Sequence, residues 1–108
     1  MTGTVKLIKT TLPGSWKEFE VNIFSQSLLS AGAACVSHSS VVSMYNWDGK
    51  VVSENEWALE VKVSAVVVDK IVERICASHP YDVPQILIGD YTTSKGYFDW
   101  VENFFNGK

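Results

Sequence analysis

The tetrapeptide Trp47-Asp48-Gly49-Lys50 constrains this chain more than any other feature. Asp-Gly supplies the positive φ angles that a two-residue hairpin turn needs, and the stretches on either side, Ala33 to Trp47 and Val51 to Val63, read as two long strands. The chain is therefore expected to be built round one long antiparallel hairpin. In the second arm Trp57, Leu59, Val61 and Val63 alternate with Ala58, Glu60, Lys62 and Ser64. One face of that arm should be buried while the other carries charge. The first arm alternates less cleanly.

The segments around the hairpin supply the rest of the fold. Val5, Leu7 and Ile8 followed by Thr10-Thr11 predict a short strand, and Pro13-Gly14-Ser15 a turn leading into a helix. Ser15 is the expected N-cap, with Glu18 completing a capping box. Trp16, Phe19, Ile23, Phe24, Leu28 and Ala31 form the apolar face, and Gly32 terminates the helix. Beyond the hairpin, Val68, Ile71, Val72, Ile75 and Cys76 fall on one helical stripe. The β-branched residues Val66 to Val68 weaken its start, and Pro80 ends it by forcing residue 79 out of the α region. Ile86 to Ile88 predict a short last strand. Ser94 to Phe105, with Tyr97, Phe98, Val101, Phe104 and Phe105, predict a C-terminal helix. This order is the split βαβ pattern of an α+β, ferredoxin-like domain over residues 1–108. It has an antiparallel sheet, two helices on one face, a long β2-β3 hairpin and an extra C-terminal helix.

Composition bears on partners. With 46% hydrophobic and 19% charged residues and four tryptophans in 108 residues, a bare sheet face with open edges would invite aggregation unless something covers it. A symmetric oligomer is the simplest cover. Nine Lys plus Arg against twelve Asp plus Glu give a net charge of −3. The signs are interspersed, so neither nucleic acid nor anionic membrane is expected as a partner. The longest stretch without formal charge, Val21 to Trp47, contains seven serines, two asparagines and a glutamine, which rules it out as a transmembrane helix. The residues from Met1 to Lys6 lack an export signal, so cytoplasmic residence is expected. In that reducing compartment Cys35 and Cys76 should be free thiols.

Several motifs resemble one family in order and spacing. They are Leu28-Leu29, Ala33-Ala34-Cys35-Val36, Ser43-Met44-Tyr45-Asn46-Trp47-Asp48-Gly49-Lys50, Glu56, Lys62, His79-Pro80-Tyr81-Asp82-Val83-Pro84 and Tyr97-Phe98-Asp99-Trp100-Val101. Together they look like the CutA family of divalent-cation tolerance proteins. The resemblance implies a homotrimer joined through the long hairpins, a link to copper or another divalent cation, and no other cofactor. It also implies a likeness in assembly to the PII signalling proteins. Gln85 stands where the family usually has Glu. Members credited with a metal site have a Cys where this chain has Lys9 or Thr10, and paired histidines where it has Ser78 and His79.

The remaining chemistry is sparse. Cys35 and His38 have a C-x-x-H spacing, but on a strand positions three apart face opposite ways. Cys76 and His79 share that spacing at a helix end, where they share a side. They are the expected metal ligands, and any further ligand would have to come from elsewhere. Cys35, His79 and Glu56 compose a catalytic set only on paper, and no phosphate loop, HExxH or GxSxG motif occurs. No enzyme is expected. Cys35, Tyr45, Trp47, Lys62, Tyr81 and Trp100 are assigned to intersubunit clefts and interfaces, since aromatic anchors favour such surfaces. Lys62, with His79 and Tyr81, offers a place for a small anion if it does not pair with Glu60 or Glu56. A regulatory sensor like the PII proteins is accordingly the alternative reading.

Overall fold

The computed structural model describes residues 2–105, and the side chain of Phe105 lies outside the described set. Strand β1 (Thr2–Pro13) is followed by helix α1 (Glu18–Ser30), strands β2 (Cys35–Trp47) and β3 (Lys50–Val63), helix α2 (Val68–Ser78), strand β4 (Leu87–Ser94) and helix α3 (Lys95–Phe105). All neighbouring strands pair antiparallel, in the order β2-β3-β1-β4. The turn falls where the sequence placed it. Trp47 pairs with Lys50, and Asp48 and Gly49 take φ of 51° and 74°, the two positive values that a twisted two-residue loop requires. Because the turn fixes the register, it fixes which side chains share a face all along the hairpin.

The two faces of β1 are used differently. Ile8 and Leu12 join Leu59, Val61 and Val63 of β3 beneath Val21, Phe24 and Leu28 of α1 and Ile71 and Ile75 of α2. Val5 lies an odd number of positions from Ile8 and so faces the other way, where it meets Ala34 and Val101 with Tyr97, Phe98 and Phe104 packed alongside. Helix α3 thus covers one end of the sheet face that α1 and α2 leave bare. The hairpin gives the molecule extents of 47 × 25 × 21 Å.

Four sequence expectations change, the first being that β1 is not a short strand but runs 12 residues, Thr2–Pro13, paired on both sides. Helix α1 begins at Glu18, capped by Lys17 rather than Ser15, because Trp16 N–H donates to Pro13 O at 3.0 Å and this turn absorbs Ser15. Glu20 then accepts the Lys17 N–H at 2.9 Å, in place of Glu18. Phe19 and Ile23 are 61% and 63% exposed, and the face that packs on the sheet is instead Val21, Phe24, Ser25 and Leu28. Strand β4 runs well past Ile88, since its polar residues Asp90, Thr92 and Thr93 pair with Lys6, Thr4 and Gly3. Its length follows from its neighbour rather than from an apolar run.

Elsewhere the local rules hold. Gly32 follows α1 at φ +115°, with little strain for a residue lacking Cβ. The β-branched residues ahead of α2 form a 3-10 turn, Ala65–Val67, opened by Ser64 accepting from Val66 N–H. Ile71→Ala should cost about 2–5 kcal/mol by denaturant titration, because the side chain is fully buried. Ile23→Ala should change stability by less than about 0.5 kcal/mol. A cost at Ile23 matching that at Ile71 would reverse the assignment of the helix face.

Candidate functional site

Pro80 places His79 in an extended conformation, φ −74° and ψ 136°, just past the end of α2. There the imidazole is held from both sides. Thr11 O lies 2.6 Å from Nε2. A carbonyl can only accept, so Nε2 carries the proton and Nδ1 is left as an acceptor. Nδ1 receives the Tyr81 backbone N–H at 3.1 Å. Phe24 meets the ring edge-on at 6.3 Å, and the Tyr81 ring lies against it at 4.9 Å. His79 is therefore a clasp between β1 and the segment after α2.

The segment then brings Tyr81 onto the hairpin, where its hydroxyl donates to Glu56 Oε2 at 3.0 Å. Partial burial pushes the phenol up to about 12, helped by the hydrogen bond to Glu56 and by the charges of Glu56 and Glu54. A groove of about 930 Å³ opens here. Tyr45, Trp47, Val52, Glu54 and Glu56 line it from the hairpin, and Tyr81, Asp82, Val83 and Gln85 from the segment after α2. The hairpin members share a face by register, since Tyr45 pairs with Val52 and Ser43 with Glu54.

The expected site residues divide into separate neighbourhoods. Tyr45, Trp47 and Tyr81 share this groove. Lys62 lies in a second depression of about 390 Å³, with Glu60, Tyr91 and Tyr97. It forms no ion pair with Glu60 or Glu56 among the described residues; Glu60 instead faces Lys9 at 3.8 Å. Cys35 is half-buried and pairs across from Lys62. It stands six strand positions, about 20 Å, from the partner of Glu56, so the Cys35, His79 and Glu56 set does not assemble. Trp100 packs within α3, at 5.6 Å from Tyr97 and 4.8 Å from Phe104. As the spacing implied, His38 turns away from Cys35, bonding to Glu18 at 2.9 Å and meeting Trp57 edge-on.

Cys76 is an exposed free thiol on α2. For His79 to join it on a metal, Nδ1 would have to release the Tyr81 amide or Nε2 lose Thr11. Among the described residues, no three His, Cys, Asp or Glu side chains come together as a metal site. The described residues therefore do not by themselves present a complete set of ligands. The roles of Glu54 and Asp82 in the groove were missed from sequence. The i, i+2 run Val52, Glu54, Glu56 carried the signal for the first, while nothing local pointed to the second.

An antiparallel β2-β3-β1-β4 sheet with α1 and α2 on one face and α3 on the other defines a ferredoxin-like α+β protein of the split βαβ class. Residues 7–104 match the family described as CutA1 divalent ion tolerance protein. The chain belongs to that family. It is 38% identical over 71 residues to the divalent-cation tolerance protein CutA of Thermus thermophilus, covering 64% of this chain and 69% of the relative. It is 36% identical over 73 residues to the chloroplastic CutA of Arabidopsis thaliana, covering 66% of this chain. The match spans only 40% of that relative's length. The structure of the periplasmic divalent cation tolerance protein CutA from Archaeoglobus fulgidus superposes with a TM-score of 0.84 at 25% identity, covering 93% of this chain and 97% of the other.

These relatives correct one expectation. A chloroplastic and a periplasmic member show that residence in the cytoplasm is not a family property. The absence of an obvious export pattern therefore does not establish it for this chain.

The Tyr81 contact can be tested through pH. Tyr81→Phe should cost less than about 1 kcal/mol near neutrality, because the pair is open to solvent. The folded-state phenol titrates above its ordinary value, so the contribution is full below pH ~10 and is lost as pH rises through about 12. Wild type should lose stability relative to Tyr81→Phe across that window. In ultraviolet titration Glu56→Gln should bring the phenol down; an unmoved phenolate transition would refute the assignment.

Proposed function

We propose that this chain, as a single CutA-like domain over residues 1–108, forms a homotrimer that serves in tolerance of divalent cations, copper above all, without catalysing a reaction. The observation that carries this is the match over residues 7–104 to a family named for divalent ion tolerance. Trimer formation is supported by the hairpin, where Val42, Met44, Trp47 and Val51 are each about 70% exposed on one subunit, more apolar surface than a lone strand pair leaves in water. Cys35, Tyr45, Trp47, Lys62, Tyr81 and Trp100 would then line the interfaces and the clefts between subunits. Cys76 and His79 are the proposed protein ligands for copper, completed by groups from a neighbouring subunit. No other cofactor is invoked.

Sedimentation should give about three times the 12.0 kDa chain mass at micromolar concentration. A stable monomer would defeat the assembly. Copper(I) titrated into wild type and His79→Ala should bind more weakly to the variant, and equal affinities would remove His79 from the site.

Lys62, which enters no ion pair among the described residues and shares a depression with Tyr91 and Tyr97, favours a second reading. In it the trimer is a sensor that binds a small anionic metabolite, as the PII proteins do. A thermal-shift screen of nucleotides and organic anions tests it. A stabilising anion whose effect disappears in Lys62→Ala would support the sensor, and the absence of any such anion would count against it.

A further inference from the structure

We propose that the turn joining β1 to α1 is a collar that fixes the direction of the hairpin's outer arm, and through it the way one subunit meets the next. The last pairing of β1 with β3 is Pro13 with Glu56. From Asn55 to the tip, β2 is the strand neighbour of β3 among the described residues. A two-stranded ribbon twists strongly and is marginally stable in water by itself, so the direction of this one has to be set at its base.

Both strands are held at that base by residues 14–18. Gly14 approaches the Asn55 backbone so closely that a Cβ there would stand 2.7 Å from the Asn55 carbonyl carbon and 2.9 Å from its Cβ. Gly14 is not among the positive-φ residues, so space rather than backbone freedom calls for glycine. Two positions further along β3, the Trp57 indole Nε1–H donates to Trp16 O at 2.9 Å. The grip reaches β2 through Glu18, which bonds to His38 at 2.9 Å, and the His38 ring meets Trp57 edge-on at 5.5 Å. Trp16 N–H closes the turn itself on Pro13 O. The lever beyond is long, since the pairs from Val42–Asn55 to Trp47–Lys50 extend about 17 Å. A tilt of about 10° at the base would move the tip by about 3 Å over that length. Subunit interfaces pack as densely as interiors, so a shift of that size turns a matched surface into a mismatched one. Holding the arm is independent of the number of subunits, whereas its effect on association rests on the homotrimer proposed above.

Amide hydrogen exchange read by mass spectrometry, together with sedimentation equilibrium, tests the collar in the full-length protein. Gly14→Ala forces the turn and Asn55 apart, and Trp57→Phe removes the indole donor while keeping a ring. In both variants the amides of residues 42–55 should exchange about tenfold faster, while those of α2 and of residues 59–63 keep their rates. The protein concentration at which trimers form should rise about tenfold. Gly96→Ala, whose Cβ meets nothing within 4 Å, should loosen neither the arm nor the association. Unchanged arm exchange in both variants, or exchange that accelerates equally in α2, overturns the collar. A loosened arm with undiminished association overturns its link to assembly. A wild type that sediments as a monomer removes the homotrimer and that link together, while arm exchange in the two variants still decides whether the collar holds the arm.

Discussion

The two-residue turn at Asp48-Gly49 governs more of this molecule than its size suggests. With period-two alternation, moving the β2-β3 pairing by one position would exchange the faces of every side chain on both arms. As formed, the register puts Trp57, Leu59, Val61 and Val63 together under α1 and α2, and Val52, Glu54 and Glu56 together on the opposite face. Core and groove are thus two results of one constraint. Gly49 and the short side chain of Asp48 adopt the required positive φ where a β-branched residue would be strained.

The second organising contact is the His79 clasp. It uses both ring nitrogens for structure, tying β1 through Thr11 O to the backbone at Tyr81, and Tyr81 extends the connection to Glu56. Three distant segments meet here through directional bonds rather than through apolar packing. Cys76, three residues before His79, keeps an exposed free thiol outside this arrangement. A histidine in this role conveys position, since moving the ring shifts the whole wall formed by Tyr81, Asp82 and Val83.

What could be read from sequence follows the range of the interactions involved. The hairpin, the element order and the end of α2 at Pro80 rest on local chemistry, and each was legible. The start of α1 was not, because the Pro13–Trp16 turn displaced it, and neither was its buried face, which packing on the sheet sets with Phe19 and Ile23 outward. Strand β4 was legible only over its apolar first residues, since Asp90 to Ser94 owe their conformation to pairing with β1. The site shows the same divide. Tyr45, Trp47 and Tyr81 were singled out, whereas Asp82 meets Glu54 only through the folded chain. The pairing of Glu60 with Lys9 rather than Lys62 depends on which strands lie side by side. Cellular location was the reading with the least physical support, and a chloroplastic and a periplasmic relative do not share it.

The long hairpin is anchored unequally along its length. Near its base Leu59, Val61 and Val63 are almost completely buried, while near its tip Trp47 and Val51 are about 70% and 69% exposed. Opening the outer rungs of the ladder in the single chain therefore sacrifices little packing, and opening the inner rungs disrupts the core. Amide hydrogens along β2 and β3 should exchange with solvent in a graded order, fastest beside Asp48 and slowest opposite β1. The chain thus joins a rigid platform to a pliant arm within a single pair of strands.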